Sequence, residues 1–248
     1  MLKQDVGGQG SGLGGYTVRV AHSRDDMTLA MALRRARFGA GEDDFDAGCM
    51  QILIQFQGDL CATFRLRPYA SGAELGQGYS AQFYDVRALA AMSRPALELG
   101  RFCVVDGAHQ IDALRLSFAA MAAQVDNLGA GVLFGCASFH GENFDHHRPA
   151  LSLLKSHISA DWPITCLAAH HIDLKSLSHT KDEEVAALRG VPPLLRSYLS
   201  LGGWVGGAAV RDDDLGTYHV FTALEVDKIP APRAMALRKL AASLQWRL

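Results

Sequence analysis

The sequence predicts an α/β domain built on a mixed sheet with helices on both faces. Three observations carry this. Apolar strand-like runs alternate with stretches of helical spacing along the 248 residues. The apolar run 96–105, the helical spacing of Leu114, Phe118, Met121 and Val125, and the apolar run 132–139 read as strand, helix, strand, which implies a parallel crossover. Beyond residue 15, no repeat or linker divides the chain, so 16–248 reads as a single domain.

The elements follow in order. Residues 1–15 contain six glycines, a composition that cannot bury enough surface to fold and predicts a disordered tail. Tyr16–Ala21 alternates as a strand. Ser23 then caps a helix to Phe38, with Asp25 and Asp26 favourable in its first turn and Gly39 and Gly41 ending it. The acidic turn Glu42–Asp46 leads into a hairpin of strands 50–56 and 60–67 joined by Gln57-Gly58-Asp59. Residues 68–83 are polar and Gly-rich, a long loop of the kind that carries function. A short helix is expected near Tyr84–Met92. After the crossover come a helix over 149–157, a His-rich loop or lid over 170–184, a helix opened by Pro192 and ending at Leu201-Gly202-Gly203, strands 205–210 and 218–226, and a helix over 232–248.

Composition narrows the function. At 49% hydrophobic and 20% charged residues with a net charge of −2, the chain shows no global bias toward nucleic acid. Its apolar stretches fall short of the roughly 20 residues of a membrane span, and the N-terminus lacks a basic segment followed by a cleavable apolar core, so a cytoplasmic protein is expected. Cys49, Cys61, Cys103, Cys136 and Cys166 form no CxxC pair and read as reduced, buried residues. The pairs His146-His147 and His170-His171 lack carboxylate-flanked spacing, and no metal site is expected.

The segment Leu97–Val105 concentrates the chemistry. Glu98 and Arg101 lie in an otherwise apolar run, where a charge must be paired or employed. On a regular strand they point to opposite faces, unless Gly100 marks a bulge. A structural ion pair and a catalytic pair both fit these residues. Ser138 lacks a G-x-S-x-G elbow, and nothing electropositive flanks Cys136, so neither is read as a nucleophile.

Several segments in shared order resemble the bacterial ornithine-acyl-[acyl carrier protein] N-acyltransferases, and more distantly the acyl-homoserine-lactone synthases. They are Leu33-Arg34, Asp44-Phe45-Asp46 with Cys49, Ala62–Leu66, Phe83-Tyr84-Asp85, Glu98–Arg101, Leu133–Phe139, Val191–Leu195 with Tyr198-Leu199 and Leu201-Gly202, and Asp212 before Gly216-Thr217. The resemblance implies a Gcn5-related acyltransferase fold with a mostly antiparallel sheet. It also implies transfer of a long, 3-hydroxylated or plain acyl chain from acyl carrier protein or CoA to the α-amine of ornithine or a similar amino acid, giving a lyso-aminolipid. The thioester is a co-substrate, and no permanently bound cofactor is implied.

On this resemblance Glu98 is the general base or amine-orienting group. Arg101 holds it or binds the amino acid's carboxylate. Asp46 and Arg65 belong to the same cluster, with Arg34 at its rim and Asp212 as a further acid for an ammonium group. Read by itself, Asp212-Asp213-Asp214 is a solvated turn. The thioester arm would run beside Phe102, Cys103 and Val104, with Ser138 and Phe139 as further contacts, and its phosphate would meet Gly107–Ile111 at the start of the next helix. That loop has Asp106–Gln110 where the family carries arginines, and Met50 stands where the family has a histidine. An alternative is a module of the same fold that binds acyl groups or carrier protein without chemistry. The last helix, with Arg233, Arg238, Lys239 and Arg247 among apolar residues, fits either packing on the sheet or peripheral contact with the inner membrane face.

Overall fold

Ser23 caps the first helix as its sequence predicts: its hydroxyl accepts the Asp26 N–H at 3.1 Å, and Asp26 accepts the Ser23 N–H in return at 3.2 Å. The computed structural model describes residues 14–244 and the backbone of 246 and 247. Strand β1 (Tyr16–Val20), helix α1 (Arg24–Phe38), the hairpin β2 (Met50–Phe56) and β3 (Asp59–Tyr69), and the two-residue β4 (Tyr84–Asp85) come first. They are followed by β5 (Ala96–Val104), α2 (Gln110–Leu128), β6 (Val132–His140), α3 (Phe144–Leu153), β7 (Thr165–Cys166) and β8 (His171–Asp173). The described part closes with α4 (Glu184–Gly190), α5 (Pro193–Ser200), β9 (Trp204–Asp212), β10 (Thr217–Glu225), α6 (Ala231–Ala242) and β11 (Trp246–Arg247).

Nine strands form one sheet in the order β11-β1-β2-β3-β5-β6-β10-β9-β8. Its pairs are antiparallel except β1 with β11 and β5 with β6, the latter being the expected crossover. Ile52, Ile54, Phe64 and Leu66 pack with Ala113, Leu116 and Met121 of α2 on one face. By the period of two, Leu53 and Arg65 look to the other face, where α1 lies against β2, β3 and β5.

The register fixes the site. From Arg65↔Gly100 to Thr63↔Cys103, β3 advances two residues while β5 advances three, so β5 carries an extra residue in a bulge. The bulged residue is Arg101, with φ at +51°, not Gly100. Gly100 serves a different purpose, since a Cβ there would sit 2.9 Å from Arg65 Nε. Pairing of β5 with β6 ends at Leu99↔Gly135, although β6 continues to His140 along β10. The two parallel strands therefore part beyond Leu99.

Other expectations need correction. Residues 1–13 of the expected tail lie outside the described residues, while Gly15 already joins the fold, its carbonyl accepting the Gln57 N–H at 2.9 Å. Strand β3 runs two residues past its expected end, and 72–77 and 80–82 wind into 3₁₀ turns. The helix expected near Tyr84 is a short strand followed by a 3₁₀ turn capped by Asp85. Helix α3 starts at Phe144 under an Asn143 cap, with Pro149 inside it. The His-rich stretch holds β8, which covers the sheet edge at β9, and runs directly into α4. The last helix stops at Ala242, because Trp246 and Arg247 pair in parallel with the open edge of β1.

Helix α6 also ties part of its charge to neighbouring elements at the surface. Arg238 pairs with Asp126 of α2 at 2.9 Å and Arg233 donates to Ser200, while Leu237 packs on the core. No described helix is long and apolar enough to cross a membrane.

Candidate active site

Two polar clusters meet at the bulge. In the first, Arg34, fully buried on α1, grips Asp46 with both terminal nitrogens at 2.7 and 3.0 Å. Arg65, reaching across from β3, donates to Asp46 at 2.8 Å and also to Asp43. Arg101 donates through Nε to Asp43 at 2.9 Å, and its guanidinium lies over the rings of Phe38 and Tyr79. Burial pushes both carboxyls up, yet Arg65 with Arg101 at Asp43, and Arg34 with Arg65 at Asp46, hold them below the usual carboxylate range. Three guanidiniums thus share two carboxylates within this cluster, and the third carboxylate at the bulge is Glu98.

The second cluster surrounds Glu98. Its carboxylate accepts from the Tyr69 hydroxyl at 2.6 Å, the Ser80 N–H at 2.7 Å and the Ser80 hydroxyl at 2.6 Å. Arg101 does not touch it; the partner of Arg101 is Asp43, because the left-handed turn at 101 aims the side chain toward α1. The expected Glu98–Arg101 pair is therefore two neighbouring systems. Gly78 presses its backbone against the second, and a Cβ there would fall 2.2 Å from Tyr69 Oη and 2.3 Å from Glu98 Oε2. Gly78→Ala is expected to swing the Glu98 carboxylate out of place and lower kcat at least tenfold while KM for the acceptor changes less, as steady-state kinetics would show.

Between the parted strands lies a cleft of about 410 Å³. Phe102 and Val104 form one wall, and Cys136, Ser138, Phe139 and His140 the other. Arg65, Arg101 and Tyr79 stand at one end, and residues 189–195, leading from α4 into α5, form the cover. Cys103 faces away from the cleft, buried, with its thiol donating to the Arg101 carbonyl at 3.4 Å. Glu98 sits behind the wall and connects with it in two ways. The Ser80 hydroxyl that donates to Glu98 accepts from the cleft-lining Cys136 thiol at 3.5 Å. A void of about 10 Å³ also touches Glu98 together with Arg65, Tyr79, Leu99 and Gly100, which are cleft residues as well.

Asp212 is not part of a solvated turn. It is the last residue of β9, is buried, and accepts from the Tyr79 hydroxyl and from the Leu215 N–H at 3.0 Å, whereas Asp213 is exposed. It does not line the cleft itself, but its partner Tyr79 does. The neighbouring His219 is fully buried against Phe83 and Tyr84, and burial lowers its imidazole pKa to about 4 despite the nearby Asp212. A folded pKa below the unfolded value of about 6.5 means that the unfolded chain binds more protons in between, so stability is lost as pH falls from about 6.5 to about 4. The loss is expected to reach roughly 3 kcal/mol over that window, about 2 kcal/mol of it between pH 7 and pH 5, and His219→Phe should flatten it in denaturant titrations at those two pH values.

The cluster residues the sequence did not single out are Asp43, Tyr69, Tyr79 and Ser80. Asp43 had a usable signal: Asp43-x-x-Asp46 is a capping-box spacing, and each carboxylate accepts a backbone N–H of the same 3₁₀ turn. Tyr69, Tyr79 and Ser80 had none beyond their place at or in the long loop.

Residues 28–117 match the family model described as an acetyltransferase (GNAT) domain. Among solved structures, a CoA-dependent acyl-homoserine lactone synthase, BjaI, superposes with a TM-score of 0.53 at 12% identity, covering 94% of each chain. An N-acyl amino acid synthase from uncultured soil microbes, FeeM, gives 0.50 at 11% identity over 93% of this chain and 98% of its own. These two establish the fold. An L-ornithine N(alpha)-acyltransferase of Rhodobacter capsulatus is 29% identical over 85% of this chain and 90% of its own length. The L-ornithine N(alpha)-acyltransferase of Brucella abortus is 31% identical over 244 residues, 88% of this chain and 86% of its own length. With the sheet, the cleft and this identity together, the chain belongs to the L-ornithine N(alpha)-acyltransferase family.

Proposed function

We propose that this chain transfers a long acyl group from the thioester of acyl carrier protein to the α-amine of ornithine, and that the reaction takes place where β5 parts from β6. The observation that carries this reading is the juxtaposition, at one end of a cleft, of Arg65 and Arg101, which share their carboxylates, with the separately held buried carboxylate of Glu98. Amide formation from a thioester needs a neutral amine about 3 Å from the carbonyl and a place for the oxyanion. Arg65 and Arg101 offer guanidinium donors to the amino acid's carboxylate, which sets its α-amine near the bulge. Glu98 takes the amine proton through the small void, which has room for about one water molecule, or along the Cys136 and Ser80 hydrogen bonds; as the C–N bond forms the C–S bond breaks, and the donor's thiolate leaves and picks up a proton to become the free thiol. The bulge leaves residues 101 and 102 out of the β3 ladder, so an N–H there supports the oxyanion. Phe102, Val104 and Ser138 flank the thioester arm.

Carrier protein is proposed as donor because the segments named in the sequence resemble carrier-protein-dependent ornithine acyltransferases, while loop 106–110, which lacks their arginines, and the CoA-dependent fold neighbour BjaI favour CoA as the second reading. Incubating the purified chain with ornithine and either acyl-carrier protein or acyl-CoA, with product detection by mass spectrometry, tests this. N-acylornithine forming faster from the carrier-protein thioester is the expected result. Absence of acylated amino acid from both donors would leave the binding-module alternative, and a faster CoA reaction would replace the donor.

A further inference from the structure

Four of the large apolar side chains that the fold leaves exposed stand around one opening. The main cleft has its reacting end at Arg65, Arg101 and Tyr79, and it runs from there toward the ends of β5 and β6, where Val104, His140 and Gln110 line it. Val105 directly follows Val104 and is 39% exposed, and Ile111 directly follows Gln110 and is 75% exposed. The cover takes the same direction. Leu195 lies with Leu99 and Gly135 at the inner end, whereas Arg189, itself exposed, lines the cleft together with His146 of α3. Leu188, 53% exposed, directly precedes Arg189, and Val185, 58% exposed, stands one turn earlier on the same face of α4.

Apolar side chains scattered singly over a surface need no explanation, but four that flank the open end of a substrate cleft do. Acids beside them are tied: Asp106 by Arg37 at 2.8 Å, Asp112 by Arg115 at 3.4 Å, and Glu184 by His179 at 2.7 Å. The rim therefore presents hydrocarbon with an arginine beside it, which is the composition of a protein–protein contact. A thioester arm joined covalently to a protein adds a constraint that CoA lacks. The arm enters the cleft only when the protein that bears it comes against the open end, so that protein meets this rim in every turnover.

We propose that Val105 and Ile111 on one side, and Val185 and Leu188 on the other, form the docking surface for acyl carrier protein. The proposal rests on the reading of the cleft as the thioester channel and of carrier protein as the donor. It is tested with Val185→Gln combined with Leu188→Gln. Glutamine is a good helix former, and both side chains are already more than half exposed, so the melting temperature should stay within about 2 °C of wild type. With acyl-carrier protein, KM should rise about tenfold in the double variant at nearly unchanged kcat, the scale of truncated contacts at the centre of an interface. With acyl-phosphopantetheine, the same arm without the protein, kcat/KM should stay within about twofold of wild type. Met235→Gln, which removes a 67% exposed side chain of α6, should change neither donor.

An unchanged KM for acyl-carrier protein would overturn the docking surface. Self-association, or binding to phosphatidylglycerol vesicles, lost in that same variant would then give the rim to a second copy of the chain or to a lipid surface. Equal loss with both donors would overturn it as well, by making the two side chains supports of the cover. A wild type that uses acyl-phosphopantetheine no less well than acyl-carrier protein would remove the carrier-protein reading together with this proposal, and turnover of neither donor would remove the channel reading too.

Discussion

Glu98→Gln is expected to lower kcat by about 10²- to 10⁴-fold with little change in melting temperature. The two halves of that statement have separate causes. A carboxamide keeps an oxygen to accept the Ser80 N–H and hydroxyl, and its NH₂ can donate to Tyr69 Oη, since a phenol accepts as readily as it donates. The buried cluster therefore stays satisfied and the fold holds. A carboxamide cannot take a proton from an amine, so the rate falls. Glu98→Ala would behave differently, because it strands three buried donors at once and loses stability as well as activity. Acyl transfer rates and thermal melts of the two variants separate the proposed role from a packing role. A wild-type rate in Glu98→Gln would end the assignment of Glu98 as base.

The frame of the fold was legible because it depends on periodicity. Strands 50–56 and 60–67 flank the turn signal Gln57-Gly58-Asp59, 110–127 repeats at helical spacing, and the runs on either side of it pair in parallel as a crossover requires. The site was legible only in part, because its geometry depends on backbone choices that identical residue types do not reveal. Asp43, Asp44 and Asp46 look alike in a string, but the two that cap the 3₁₀ turn are the two that face the arginines. Asp212 differs from Asp213 only in being the last residue of a strand, and that one-residue difference buries it. Arg101 could not be placed from alternation, because its left-handed backbone turns it off the strand's regular pattern. The end of the chain failed for a similar reason: an open strand edge recruits Trp246 and Arg247, and helical spacing carries no information about that edge.

Asp46→Ala should be among the most destabilising substitutions in the protein, at about 3–5 kcal/mol, or a fall in melting temperature on the order of 10 °C for a chain of this length. Asp46 is the shared partner of two buried guanidiniums: Arg34 has no exposed surface, and Arg65 little. Removing the carboxylate leaves those charges with Asp43 alone, and it also frees the Asp43 N–H that Asp46 accepts at 2.9 Å. The same logic fixes a pH dependence. Because the pKa values of Asp43 and Asp46 are lowered in the folded state, their contribution is complete above the unfolded carboxylate value of about 4 and is lost as pH falls toward the lower folded values. The wild type should therefore weaken further below pH about 4, beyond the range in which His219 titrates, and Asp46→Asn should lose part of that acid sensitivity along with stability at neutral pH. Urea titrations of both variants at neutral and acid pH provide the measurement. A melting temperature within about 2 °C of wild type for Asp46→Ala would mean that the arginines relax toward the cleft and solvent, and that the cluster does not set the position of Arg101 beside the acceptor.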